Sequence, residues 1–164
     1  MFDGCTSLLS SPNLLSTVLA GKCYEYMFMG CTSLINVSKL PALKLEERCY
    51  ADMYRDCTSL SIVPDLPATI LEDSCYTGMF MGCISLIRAP NLPAKTLVNR
   101  CYESLFSGCN SLTSIKVNFT EWNTSNMLSW VYGISPNGVF IKPSLLSEEY
   151  GKDRIPSNWE IINI

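Results

Sequence analysis

The stretch Cys23-Tyr24-Glu25-Tyr26-Met27-Phe28-Met29-Gly30-Cys31-Thr32-Ser33-Leu34 returns at residues 49–60, 75–86 and 101–112. Each copy begins 26 residues after the last, with no insertion. A half copy, Met1-Phe2-Asp3-Gly4-Cys5-Thr6-Ser7-Leu8, precedes them. Self-similarity at a fixed period of this length is the signature of repeat architectures, because one unit alone cannot bury its own apolar face. The period therefore predicts an α/β repeat solenoid. The half copy occupies 1–13, and full units cover 14–39, 40–65, 66–91 and 92–117. Because the chain opens in mid-unit, a fragment or a missing capping segment is expected.

Within a unit the pieces are read in turn. A corner comes first, best seen as Pro64-Asp65-Leu66-Pro67 and Pro90-Asn91-Leu92-Pro93, since proline fixes φ and cannot donate to a ladder. A short extended piece ends on Leu19, Leu45, Leu71 and Leu97. Then Cys75, Met79, Phe80 and Cys83 fall at i, i+4, i+5 and i+8, which predicts one face of a short helical turn. Gly30, Gly82 and Gly108 are expected to stop it in a left-handed conformation, with Asp56 in that place in the second full unit. A final Ser-Leu-x-x-aliphatic piece is expected to form a second strand.

Composition narrows the function classes. The 164 residues are 48% hydrophobic and 16% charged, too apolar for a disordered chain. A net charge of −3 offers no basic face for nucleic acid. No apolar run approaches the ~18 residues of a membrane span. The first residues lack the basic start and apolar stretch of a secretion signal. Histidine is absent, which removes the commonest general base and metal ligand. The nine cysteines form two columns, Cys5, Cys31, Cys57, Cys83, Cys109 and Cys23, Cys49, Cys75, Cys101, without any C-x-x-C spacing for zinc. They sit where the pattern asks for small buried residues, so free thiols are expected in most of these positions, with bridges between adjacent units a possibility. No cofactor and no metal are expected.

The run Met-Phe-Met-Gly-Cys-Thr-Ser-Leu at 27–34, with Leu-Pro-Ala before it in later units, resembles the BspA-like leucine-rich repeats of bacterial surface proteins, frequent in Bacteroidetes. The similarity covers residues 1–117. Cysteine at 23, 49, 75 and 101 stands in the family's aliphatic place, and Met27, Met53, Met79 and Leu105 in its alanine place. The resemblance implies a leucine-rich repeat solenoid at the cell surface, used for binding, with no catalytic residues to carry over. Residues 118–164 leave the pattern and hold all three tryptophans; they resemble a closing segment, a small β-rich C-terminal cap with strands near 130–141 and 154–162.

Binding residues are sought in columns. Tyr24, Tyr50, Tyr76 and Tyr102 would form either an aromatic ridge for sugar or protein or a packing ladder. Lys22, Arg48 and Arg100, with Ser74, form a mostly basic column whose alternative is a solvated face of weak ion pairs. Glu46, Glu47, Glu72 and Asp73 are the carboxylates a glycoside hydrolase reading would use. The expected function is a non-enzymatic surface module that adheres to a host or matrix protein or a glycan. The alternatives are a structural spacer or stalk, including a phage tail or virion component, and a carbohydrate-active enzyme.

Overall fold

The computed structural model describes all 164 residues, and it corrects the expected fold class. The chain is not an α/β repeat solenoid. It has no α-helix, only one 3-10 turn at Thr124–Asn126, and its regular strands number three. These are β1 (Ser114–Lys116), β2 (Val139–Lys142) and β3 (Glu160–Asn163), in an open parallel sheet of order β1-β2-β3. Of the two parallel strand ladders expected along residues 1–117, only β1 at the last unit is a regular strand, and the rest reduce to isolated bridges such as Ser10 with Asn36 and Lys44 with Ile70.

Turns replace helices in the segments rich in cysteine and aromatics. Of 83 backbone hydrogen bonds, 78 lie outside helices and strands, so elements in the usual sense hold little of this chain. From residue 22 to residue 31 the amides alternate. Those of Cys23, Glu25, Met27, Met29 and Cys31 donate three residues back, to Ala20, Lys22, Tyr24, Tyr26 and Phe28. Those of Lys22, Tyr24, Tyr26, Phe28 and Gly30 donate to Glu47, Cys49, Ala51, Met53 and Arg55 of the next copy, at 2.8–3.0 Å. Every backbone donor in the stretch is thus satisfied, half locally and half by the neighbouring copy.

The conformation that allows this excludes an α-helix. Lys22, Tyr26 and Gly30 have φ of 60°, 55° and 68°, and Arg48, Asp52 and Asp56 repeat the series at 52°, 52° and 58°. A left-handed residue thus occurs every fourth position, whereas a right-handed helix holds φ near −63° throughout. The spacing explains the sequence-based expectation: a turn that repeats every four residues returns Cys23, Met27 and Cys31 to one side, much as a 3.6-residue helix does. The left-handed glycines are present as expected, but they recur within a run of turns and end no helix.

Packing follows the same register. Phe2, Phe28, Tyr54, Phe80 and Phe106 form a row of parallel rings 5.4–5.9 Å apart. Tyr24, Tyr50, Tyr76 and Tyr102 form a second row at 5.7–6.2 Å. All nine cysteines are free. The thiols of Cys31, Cys57, Cys83 and Cys109 donate to the carbonyls of Phe2, Phe28, Tyr54 and Phe80 in the preceding copy, at 2.9–3.1 Å.

Beyond Val117 the rows end on tilted aromatics: Trp130 against Phe106 and Phe119 against Tyr102. β2 and β3 overlap only the ends of the two stretches expected to hold strands, 130–141 and 154–162, and each runs one residue past them. Ile115, Phe140 and Ile161 sit in register across the sheet. Each tryptophan indole N–H reaches a carbonyl: Trp122 to Ser147, Trp130 to Arg154 and Trp159 to Ser135, at 2.8–3.0 Å. One continuous core runs from Leu14 to Trp159. No helix is long and apolar enough to cross a membrane.

Candidate functional site

The tyrosine column does not form an exposed ridge. Tyr50, Tyr76 and Tyr102 are 1–2% exposed, and only Tyr24, at the first copy, is partly open. Rings stacked between neighbours have no free face for a sugar or a partner protein. The column is a packing ladder, and burial pushes the phenols of Tyr50, Tyr76 and Tyr102 above their ordinary range.

The basic column is present but mostly neutralised. Lys22, Arg48 and Arg100 occupy the first left-handed position of their copies. Arg48 donates from Nε and Nη2 to Glu25 Oε1 at 2.8 and 2.5 Å. Arg100 is paired with Glu103 one turn along. Both carboxylates hold their guanidiniums more firmly charged through these hydrogen bonds. Ser74 is buried and donates to Asp73 at 2.9 Å. Lys22 alone is exposed with no side-chain partner. The column therefore presents one free cation and two satisfied ion pairs.

Of the four carboxylates on the neighbouring turns, Glu46 and Asp73 are engaged, whereas Glu47 and Glu72 make no side-chain hydrogen bond or ion pair. Glu46 accepts from Lys44 Nζ at 3.0 Å. Asp73 accepts from Asn99 and Ser74, and those hydrogen bonds, Asn99 first, hold its carboxyl below the ordinary range. A general acid for glycoside hydrolysis needs a carboxyl moved in the opposite direction.

The most open feature lies elsewhere, in the piece that follows each Ser-Leu pair. In two places this piece bonds to the next copy through the same position: Ser11 N–H to Asn36 O and Ala89 N–H to Ser114 O, both 2.9 Å. The equivalent donors of the middle copies are Val37 and Val63, whose acceptors would be Ile62 and Arg88. Neither bond forms, and residues 62–68 make no backbone hydrogen bond at all. The two adjoining pieces are instead fastened at their ends. Ile87 N–H reaches Ser61 O at 3.3 Å, and Asn91 N–H reaches Asp65 Oδ1 at 2.8 Å.

Between those fastenings is a groove of about 530 Å³, floored and walled by Ile62, Val63, Pro64, Ile87, Arg88 and Ala89. Ile62 and Ile87 are 76% and 55% exposed. The Arg88 side chain stands at the rim, exposed, with no ion-pair partner.

No family model matches the chain, and no curated protein or solved structure does. The likeness to BspA-like repeats rests on the residues of 1–117 alone.

The groove was not among the residues the sequence singled out. Ile62 and Arg88 occupy a column that reads Ser10, Asn36, Ile62, Arg88, Ser114. An aliphatic and a cation at outward, varied positions were the available signal. The missing bonds that open the groove have no signature in the sequence.

Proposed function

We propose that the chain is a non-enzymatic binding module of the cell surface, adhering to a host or matrix protein or a glycan through an exposed face. One observation carries this reading: constant inward positions are separated from varied outward ones. Leu34, Leu60, Leu86 and Leu112 are the same residue in every copy and are wholly buried. Two residues further along, the outward column changes from serine to asparagine, isoleucine, arginine and serine. A frame that fixes the backbone while the exposed chemistry changes is suited to recognition, because binding groups gain from a rigid support.

The test is binding to an array of matrix proteins and glycans, read by biolayer interferometry. A Lys22→Ala, Arg48→Ala, Arg100→Ala chain serves as comparison. Saturable binding to at least one array member is expected. A signal lost in the triple variant would assign the site to the basic column, and a signal that persists would assign it to another face. If nothing on the array binds saturably, the adhesion reading fails and a spacer or stalk role takes its place.

A further inference from the structure

We infer that the cleft between residues 95–97 and 120–126 holds a small uncharged saccharide, bound through its hydroxyl groups. This rests on the binding reading above and gives it a ligand class and a place.

The cleft, of about 320 Å³, lies where the corner of the last repeat unit meets the start of the closing segment. That volume is near the lower end of ligand pockets, ~300–1,000 Å³, and suits about one or two sugar rings. Its most buried polar lining residue is Asn126, 5% exposed. The backbone of Asn126 is fully used: its N–H reaches Asn123 O at 3.0 Å, and its carbonyl accepts from Tyr102 N–H at 2.8 Å. In the side chain, Oδ1 meets Ser125 Oγ at 3.2 Å, and Nδ2 donates to no group of the protein. The unpaired side-chain atoms that are sealed from solvent are the hydroxyls of Tyr50 and Tyr54 and Oδ1 of Asn91. Asn126 Nδ2 is not sealed in this way, and the opening beside it is the cleft. A buried donor without a partner is costly to the fold, and an acceptor on a ligand removes that cost.

The other polar groups on the lining are idle too. Thr96 and Thr120 make no side-chain hydrogen bond, and Lys95 and Glu121 are exposed and stand in no ion pair, even with each other. Asn123 Oδ1 accepts from Ser125, which leaves Asn123 Nδ2 free. One cation and one carboxylate sum to zero, which favours an uncharged ligand over an anion or a cation. Donors and acceptors are both unused, and a sugar hydroxyl is both at once. Leu97 and Trp122, each half-buried, supply apolar contact for the C–H face of a ring. The Trp122 indole is fixed by its bond to Ser147 O, outside the cleft. Glu121 is the one carboxylate on the lining, so the pair that glycoside hydrolysis requires is missing and the cleft binds without cleaving.

The experiment titrates the whole chain with the methyl glycosides of glucose, galactose, mannose and N-acetylglucosamine, read by saturation-transfer difference NMR. Methyl glucuronide and methyl glucosaminide serve as the anionic and cationic comparisons. Two variants accompany them. Glu121→Gln removes the charge, and because the Glu121 side chain bonds to nothing in the protein this variant keeps the fold. Asn126→Leu removes the unpaired amide; circular dichroism checks its fold, and if it unfolds, Glu121→Gln decides alone. At least one neutral glycoside is expected to bind saturably, more tightly than both charged relatives and about tenfold more weakly in each folded variant. The proposal is overturned if none of the four binds, if a charged glycoside binds more tightly, or if a folded variant binds as well as its parent. Capture of a protein or glycan on the array while all four glycosides fail leaves the adhesion reading standing and removes the cleft from it. If both experiments fail, both readings fall.

Discussion

Tyr54 is the tyrosine in a row that is otherwise phenylalanine, between Phe28 and Phe80 at 5.6 and 5.8 Å. Its side chain is 1% exposed, and its hydroxyl is buried without a hydrogen-bond partner in the protein. Burial raises its pKa well above the ordinary phenolic value. A buried polar group left unpaired costs about 1–3 kcal/mol. Tyr54→Phe removes that cost and leaves a void of one oxygen atom, whose penalty at ~24 cal/mol per Å³ is a few tenths of a kcal/mol. The balance is a stabilisation of about 1–2 kcal/mol. For a chain of this length that corresponds to a rise in Tm of about 2–8 °C. Urea unfolding followed by circular dichroism reads the free energy, and a thermal scan reads Tm. The reciprocal change, Phe80→Tyr, should lower stability by a similar amount. A Tyr54→Phe chain less stable than its parent would refute the reasoning, since the hydroxyl would then be earning a bond.

Other consequences follow from burial and close approach. Gly138 has no room for a methyl group: a Cβ there would lie 2.6 Å from Thr113 O and 2.7 and 2.8 Å from the Trp159 ring. Gly138→Ala should cost about 1–3 kcal/mol of overpacking, seen as a lower urea midpoint; an unchanged midpoint would mean that Trp159 is not held against the strand. Of the nine thiols only Cys5 and Cys23 are exposed, so a chromogenic aromatic disulfide should label two rapidly and the other seven only in denaturant. Fast labelling of more than two would contradict the packing described. Burial pushes Cys49, Cys57, Cys101 and Cys109 from an ordinary value of 9.0 up to about 12. A raised folded-state pKa stabilises fully below the unfolded value, so stability should hold to about pH 9 and fall as pH rises toward 12. The slope is about 1.4 kcal/mol per pH unit for each thiol. Urea midpoints that stay flat between pH 9 and 11 would exclude these thiols as the cause.

The repeat made part of this molecule readable in advance. The 26-residue spacing placed like residues beside like, and the aromatic rows and cysteine columns follow that register. The buried state of Cys31 and Cys57 could be read from the small apolar character of their place in the pattern. The secondary structure could not. Cys23, Met27 and Cys31 share one side whether the backbone turns right-handed every 3.6 residues or takes a left-handed step every four, and side-chain periodicity cannot separate the two. Lys22, Tyr26 and Arg48 are not residues that announce a positive φ; the glycines and the aspartates Asp52 and Asp56 are the residue types that hint at it. The basic column was legible as charge, but its neutralisation depends on Glu25 and Glu103 reaching Arg48 and Arg100 through turns whose geometry was misread. The groove was hidden for another reason. It arises where Val37 and Val63 fail to make bonds that Ser11 and Ala89 make, and residue types do not record a missing bond.

The alternating amides between residues 22 and 31 bear on how the chain opens. Odd-numbered amides there are protected by bonds within their own turn, and even-numbered ones by the adjacent copy. Hydrogen exchange should therefore divide neighbouring residues into two interleaved classes. Loss of one turn releases Glu25 or Met27, whereas Tyr24, Tyr26 and Phe28 exchange only when two copies part. Adjacent residues would then report different opening events, one local and one shared between copies.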